Sequence, residues 1–221
     1  MAKAFVGASL NQKIVKSFQE YLLENGQKPE SIYSFCKKIK IKESDFYDEF
    51  NSFAQIENVI WQNLFNEAAT TTKAELVYEE YSVREKFLSL YYTWIEVLKA
   101  NRSFILIAFE SMEKPIYLHK NAQLADFKYV FVDFANELLI EAKETREVEP
   151  RAIPQLMQFY PTIFWAKTLL ILDFWINDDS KSFEKTDTMI EKSVNTVFDL
   201  LARSPLDSLI DLGKFMYQNR S

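Results

Sequence analysis

Acid–base, nucleophilic and metal chemistry need particular side chains at particular spacings, and this sequence offers few of them. The single histidine, His119, has no cysteine partner and no acidic residue at a metal-binding helical spacing, which favours a surface role. Two pairs of acidic residues four positions apart, Glu137 with Glu141 and Asp207 with Asp211, have no histidine beside them and are typical of solvated helix faces. Three glycines are too few for a phosphate-binding loop. The sequence therefore predicts a protein that is not an enzyme and holds no metal or cofactor.

The composition predicts a large helical core. Of 221 residues, 48% are hydrophobic and 15% aromatic, and the three glycines and six prolines cannot supply the turns of an all-β fold. The formal net charge of -6 argues against a broad nucleic-acid-binding surface but permits a local one. The single Cys36 allows no internal disulfide, and the N-terminus lacks a signal-peptide core, so we expect a cytoplasmic protein. Because Lys167 and Asp173 interrupt the most apolar segment, 159–177, we expect a buried helix and no integral membrane insertion.

Residues 31–57 predict two short helices and the start of a third. Ser31 can cap the first helix, whose apolar residues recur at helical spacing, and a three-residue connection, 40–42, leads to the second. Ser52 and Gln55 form a capping box for the third helix. Two short helices joined by three or four residues, inside a larger helical protein, are the helix-turn-helix plan.

Over about the first sixty residues, the chain resembles the TetR-type transcriptional regulators. In that family the helix-turn-helix ends in Leu-Tyr-x-x-Phe before a Ser-capped fourth helix, and Phe46-Tyr47, Phe50 and Asn51-Ser52 occupy the matching positions here. The resemblance implies an all-α protein of about nine to ten helices. Residues 1–54 would form a small three-helix head with the helix-turn-helix, and residues 55–221 a larger ligand-binding and dimerisation domain.

Three departures from the family pattern predict weak DNA binding. Lys40 stands where the family has a turn glycine, and a lysine at positive φ is uncommon, so a distorted turn is expected. Phe53 replaces a lysine that would face phosphate. Residues 31–56 hold four lysines and four acidic residues, whereas a DNA-binding protein gains most of its affinity by neutralising phosphates.

By this resemblance, residues 31–51 would enter the major groove of DNA. Lysines and a tyrosine would contact phosphate, and short polar residues of the second helix would lie near base edges. The predicted phosphate contacts are Lys37, Lys38, Lys40, Lys42 and Tyr47, the predicted base-edge residues are Ser44, Asp45 and Asp48, and Ser31 and Ser52 complete the predicted DNA-binding set.

The aromatic residues of the larger domain have two interpretations. They form a core and subunit contacts, or some of them line a cavity for an apolar small molecule or lipid, as in the family that the head resembles. The predicted ligand-binding residues are Phe104, Phe109, Phe127, Phe131, Phe134, Phe164 and Trp165.

The leading prediction is a ligand-responsive transcriptional regulator that binds DNA as a homodimer. By resemblance, helices 159–177 and 183–202 would pair with those of a second copy, and the alternative is a monomer in which neighbouring helices cover these apolar faces. A rival prediction keeps the fold but replaces DNA binding with the binding of an isoprenoid lipid, as in an accessory protein of ubiquinone biosynthesis.

Overall fold

A computed structural model describes residues 9–148 and 160–202, together with Met216 and Gln218. These residues contain nine α-helices and no strand, which confirms the predicted all-α class. Short 3₁₀ helices occur at Tyr78–Glu80, Ala122–Leu124 and Lys181–Phe183. The α-helices are α1 (Leu10–Asn25), α2 (Ile32–Ile39), α3 (Glu43–Glu49), α4 (Phe53–Lys73), α5 (Val83–Ala100), α6 (Arg102–Glu110), α7 (Ala125–Glu144), α8 (Tyr160–Ile176) and α9 (Glu184–Ala202).

Hydrogen bonds fix the ends of the first two helices. For the first helix the sequence predicts a capping box of Ser9 with Gln12 and a C-terminal cap at Gly26. Ser9 Oγ accepts a hydrogen bond from the Gln12 backbone N–H at 3.2 Å, and Gln12 Oε1 accepts one from the Ser9 N–H at 3.0 Å. Gly26 ends α1 with a φ of 67°, a conformation that glycine adopts without a Cβ clash. Ser31 Oγ accepts a hydrogen bond from the Ser34 N–H and so caps α2.

The turn between α2 and α3 has the geometry of a glycine turn although it contains no glycine. Lys40 lies in the left-handed region, with φ 58° and ψ 52°. The N–H groups of Lys40 and Ile41 both donate to the Cys36 carbonyl oxygen, which closes the end of α2. The lysine thus adopts the conformation expected of a turn glycine, at a strain of about 1–2 kcal/mol.

Two helix boundaries differ from the sequence prediction. The apolar spacing of residues 119–148 predicts a long amphipathic helix that starts at His119, whereas α7 begins at Ala125. The Asn121 side chain bonds back to the Glu113 backbone N–H and C=O, at 2.8 and 3.2 Å, and holds a loop there. The sequence predicts that α4 runs to about Ala69 and leaves open whether the three threonines that follow continue the helix or fray it. In the structure α4 continues through them to Lys73. Thr72 in that run is fully buried, so packing overrides its poor helix propensity.

One continuous apolar core joins the head to the body, and α4 runs through both. Phe53 at its start packs in the head, whereas Trp61 and Phe65 face α7. α5 and α7 pack on α4, and α8 and α9 complete the body. The predicted domain boundary between residues 54 and 55 falls in the first turn of α4 and stays a prediction. Ser204 and Pro205 predict the start of a final helix that runs to about Tyr217, and of that range the structure describes Met216 alone. The segment 149–159 lies outside the described residues.

Segment 159–177, for which a buried helix and no membrane insertion were predicted, forms α8. None of the helices in the described ranges is both long enough and apolar enough to cross a membrane. Lys167, which interrupts the segment, lies inside the protein with 7% of its surface exposed, and its Nζ has no hydrogen-bond partner in the described part of the chain. Burial lowers the pKa of the Lys167 amine well below its usual 10.5.

The left-handed turn gives a first testable prediction. Lys40→Gly removes the strain of a side chain at positive φ and is expected to raise the free energy of unfolding by up to about 1 kcal/mol. Lys37→Gly, the same change within α2, is expected to lower it by about 1 kcal/mol, because glycine is a poor helix former. Urea unfolding followed by circular dichroism measures both, and equal destabilisation by the two changes would contradict the assigned turn.

The buried amine gives a second prediction. Lys167→Met keeps a linear side chain but removes an unpaired polar group, so it is expected to raise the free energy of unfolding by about 1–3 kcal/mol at neutral pH. In the unfolded chain the lysine holds its proton below pH 10.5, whereas the buried amine loses it at a lower pH. Folding therefore releases a proton, and wild-type stability rises with pH relative to the variant. Urea unfolding at pH 6 and pH 9 should show a smaller difference between the two proteins at pH 9.

Candidate nucleic-acid interface and ligand-binding body

An aromatic cluster around Phe35 fixes the angle between α2 and the other helices of the head. The Phe35 ring centroid lies 6.1 Å from that of Phe18 on α1 and 6.3 Å from that of Phe46 on α3, both edge to face. Phe53 at the start of α4 lies 5.6 Å from Phe35. Four helices thus meet at one ring, and such contacts are both apolar and directional.

Phe53 explains one departure from the family pattern. Its ring stacks on Phe18 at 5.3 Å with an interplanar angle of 17°. The residue that replaces a phosphate-facing lysine therefore packs the start of α4 onto α1. Sequence reasoning missed this packing role because it compared the position only with the family's charge pattern.

The outward face of α3 is short and acidic. Glu43, Ser44, Tyr47 and Asp48 are exposed and share one side of the helix, opposite the buried Phe46. Tyr47 is 50% exposed, and its ring packs edge-on against Phe46. Of the predicted base-edge residues, Ser44 and Asp48 thus lie on an exposed face.

Asp45 has a structural partner instead. Its carboxylate accepts hydrogen bonds from the Lys42 backbone N–H at 3.3 Å and from Ser44 Oγ at 3.2 Å, so it stabilises the start of α3. Ser31 and Ser52 likewise act as helix caps, since each hydroxyl accepts a backbone N–H three residues later. These three residues position the helices, and their predicted contacts with DNA stay predictions.

The four predicted phosphate-binding lysines are all exposed, but they are not equivalent. Lys38 pairs with Glu24 at 3.0 Å and lies over the ring of Tyr21. Lys37, Lys40 and Lys42 form no side-chain ion pair among the described residues. The turn and the end of α2 therefore carry three cations that are available to an anion.

Tyr33 is an exposed residue that sequence reasoning passed over. It lies on α2, one turn before Lys37, and 62% of its surface is exposed. Its position between the inward Ile32 and Phe35 was the available signal, because an aromatic residue outside the apolar stripe of a short helix has no core to enter.

The predicted ligand-binding residues are all buried, and three of them, Phe127, Phe131 and Trp165, contact one another. Phe127 lies at the centre of one cluster, 5.4 Å from Trp94 and 4.9 Å from Trp165 between ring centroids. Phe131 and Phe134 extend this cluster along α7 through their contacts with Phe65. Their exposed fractions are 2% for Phe104, 4% for Phe109, 0% for Phe127, Phe131 and Phe164, 5% for Phe134 and 8% for Trp165. Whether any of them binds a ligand stays a prediction.

A second aromatic cluster surrounds Lys167. Phe164 stacks on Phe87 of α5 at 4.4 Å, and Phe198 of α9 packs edge-on against both rings. Lys167 Nζ lies 4.7 Å from the Phe164 ring centroid and 4.4 Å from that of Tyr91. The amine is thus enclosed by rings contributed by α5 and α8.

An open groove of about 450 Å³ lies between α8 and the loop that precedes α7. Trp165 and Leu169 of α8 line one side, and Lys120 and Lys128 lie among the residues of the other side. Of the seven predicted ligand-binding residues, Trp165 borders this groove. His119 also borders it, and its Nδ1 lies 3.3 Å from Glu113, which agrees with the expected surface role.

One polar contact joins the head to α4, and a second joins α4 to α7. Lys28, in the loop after α1, pairs with the buried Glu57 of α4 at 2.8 Å, and burial raises the pKa of that carboxyl despite the lysine. Farther along α4, Asn58 Oδ1 accepts a hydrogen bond from the Asp126 backbone N–H in the first turn of α7, at 3.3 Å. α1 also contacts α6, across a cleft of about 360 Å³.

The outward side of α8 carries an apolar stripe. Ile163, Leu170 and Phe174 are 47%, 39% and 38% exposed, and Ala166 lies between them. Their spacing places them along one face, opposite the buried Thr168 and Leu172, and Lys167 lies at the edge of the buried side next to this face. This α8 stripe lies on one of the two helices that were predicted to form a subunit interface.

Comparison with known proteins supports the fold and the family. The family model for a tetracyclin repressor-like C-terminal domain matches residues 86–216, more than half of the chain. No curated protein matches the sequence. A solved structure from Syntrophomonas wolfei, assigned to the TetR family of transcriptional regulators, has a TM-score of 0.63 and 16% identity over 85% of this chain and 94% of its own. A protein of unknown function from Rhodococcus sp. RHA1 has a TM-score of 0.57 and 13% identity over 91% and 100%.

The two sources of similarity cover different parts of the molecule. The helix-turn-helix resemblance is confined to about the first sixty residues, whereas the matching family model begins at residue 86. The solved structures show the same all-helical fold across both parts. The chain belongs to the tetracyclin repressor-like (TetR) family of transcriptional regulators.

Proposed function

We propose that this protein is a ligand-responsive transcriptional regulator that binds DNA as a homodimer through α2, the turn and α3. The observation that carries the proposal is the group of unpaired cations, Lys37, Lys40 and Lys42, at a turn with helix-turn-helix geometry. Lysines at such a turn can neutralise phosphates and position α3 in the major groove. Because a regulator works beside the chromosome, the proposal agrees with the expected cytoplasmic location.

Affinity for DNA is expected to be modest. The outward face of α3 includes Glu43 and Asp48, which repel phosphate and can accept hydrogen bonds only from base donors. Tyr47 and Tyr33 add uncharged hydroxyl donors on exposed positions. Contacts with phosphate would therefore come from the turn and α2, and base reading from Ser44 and its neighbours on α3.

A ligand in the body would act on the head through α4. Asn58 connects α4 to the first turn of α7, and Trp61 stacks on Phe127 in the same region. A molecule that displaces α7 would therefore also displace α4 and the helices attached to it. The aromatic surroundings indicate an apolar ligand, and no observation in the structure favours the rival isoprenoid-carrier function over DNA regulation.

The proposed dimer uses α8 and α9. The α8 stripe leaves Ile163, Leu170 and Phe174 partly exposed in the single chain, and pairing with a second copy would cover them. Ser193 and Thr196 on α9 are small side chains that allow another helix to approach closely.

DNA binding is tested by titrating labelled DNA from upstream of the gene at low salt, followed by fluorescence anisotropy. Binding is expected to weaken steeply with salt, because phosphate contacts release counterions. Lys42→Ala is expected to weaken binding and to reduce the slope of log K against log salt by about one per subunit. Lys143→Ala, which removes an exposed lysine of α7 outside the head and the proposed interface, is the control and should leave binding unchanged. Absence of binding at micromolar dimer would remove the DNA-binding part of the proposal.

The dimer is tested by placing charge on the α8 stripe. Leu170→Glu combined with Phe174→Glu is expected to convert the dimer into a monomer, because two buried carboxylates would face their copies without partners. Leu76→Glu is the matched control, since Leu76 is fully exposed outside both helices. Analytical ultracentrifugation distinguishes the outcomes, and a dimer that survives the double change would place the interface elsewhere.

A further inference from the structure

The buried amine of Lys167 differs from the other buried lysine of the body. Lys86 is also almost fully buried, but its Nζ forms a salt bridge to Glu141 at 2.6 Å. Lys167 Nζ has no hydrogen-bond partner among the residues that the structure describes. An unpaired polar group in an apolar interior costs stability, and a methionine would fill the same volume without that cost. A lysine at this position therefore packs less favourably than an apolar residue would, but it is suited to bind a partner that is not part of the chain.

The surroundings of the amine define what that partner must be. Its Nζ faces the rings of Phe87, Tyr91 and Phe164, at 5.7, 4.4 and 4.7 Å from their centroids. A molecule that reaches it must therefore be apolar along most of its length.

The hydroxyl groups beside the amine are already engaged. Thr168 Oγ1 donates to the Phe164 carbonyl oxygen at 2.8 Å, so the 2.9 Å contact between Thr168 and Tyr91 is donated by the tyrosine. Burial raises the pKa of Tyr91, which keeps the phenol protonated. One turn along α5, Trp94 has a buried indole N–H that is also unpaired within the described residues. The unmet groups here are donors, so the partner must bring an acceptor.

We propose that the effector of the body is a hydrophobic carboxylic acid whose carboxylate pairs with the Lys167 amine. The proposal rests on the proposed ligand response and names the chemical class of the ligand. Pairing needs one proton on the amine, supplied by the acid itself or taken from solvent, and it breaks no other bond. A carboxylate then accepts charge-assisted hydrogen bonds, which are about twice as strong as those that an alcohol could form.

Binding at this position could also affect the proposed subunit interface, because both lie on α8. Lys167 is buried at the edge of the α8 stripe, and Leu170, three residues later on the neighbouring turn, belongs to the stripe. A helix moves as a unit, so an acid that draws Lys167 or spreads the surrounding rings would shift the outward stripe as well.

The test compares acids with alcohols of the same skeleton. Straight-chain acids from hexanoate to hexadecanoate and 4-phenylbutyrate are each paired with the corresponding primary alcohol, and binding to the full chain is followed by tryptophan fluorescence and calorimetry. Lys167→Met removes the amine and keeps the packing. Lys128→Met removes an exposed lysine of the open groove and serves as the matched control. Thermal unfolding establishes that both variants are folded.

We expect at least one acid to bind wild type about tenfold or more tightly than its alcohol, with the preference lost in Lys167→Met and retained in Lys128→Met. Equal binding of acids and alcohols would overturn the assignment of Lys167 while leaving an apolar ligand site in place. Loss of the preference in Lys128→Met alone would move the site to the groove and overturn it too. Binding of neither class would overturn both this inference and the proposed ligand response. DNA binding is measured separately on each variant, so a failure there leaves the acid preference standing.

Discussion

The packing of α4 against α7 is the contact on which the arrangement of this molecule depends. Trp61 stacks on Phe127, and Phe65 meets Phe127, Phe131 and Phe134 along one side of α7. Phe127 in turn contacts Trp94 of α5 and Trp165 of α8. α5 packs along α4 as well, and the cluster adds the directional contacts that fix the orientation of α4, and of the head attached to it, relative to α7. Aromatic rings suit the task because they bury much area while their edge-to-face geometry fixes direction.

Local chemistry made much of the head predictable. Capping residues specify helix starts through bonds within four residues, so Ser9, Ser31 and Ser52 could be recognised without knowledge of the tertiary fold. The spacing of Phe46, Tyr47 and Phe50 carried the family resemblance for the same reason. The expected distortion at Lys40 did not occur, because the hydrogen bonds to Cys36 outweigh the cost of a positive φ.

What sequence reasoning could not supply depends on contacts between distant residues. The late start of α7 follows from Asn121 bonding to Glu113, and the burial of Thr72 keeps α4 helical through a poor segment. The role of Phe53 follows from Phe18, thirty-five positions away in the chain. Periodicity also cannot separate an aromatic residue of the core from one that lines a cavity, since both point inward. The unpaired state of Lys167 is likewise visible only when its neighbours are known.

The hydrogen bond from Asp126 to Asn58 has a mechanical consequence. Asn58, Trp61 and Phe65 lie on one side of α4, so turning this helix about its own axis would strip a backbone N–H of its acceptor and separate the stacked rings at the same moment. A tilt of α4 about its contact with α7 at Asn58 keeps these interactions and therefore costs less free energy. Phe53 lies only about 8 Å along the helix axis from Asn58, so a tilt of roughly 10° displaces the start of α4 by little more than about 1 Å. In the proposed dimer, larger changes in the distance between the two heads would therefore have to originate at the contact between subunits, and α4 would change only the tilt of each head.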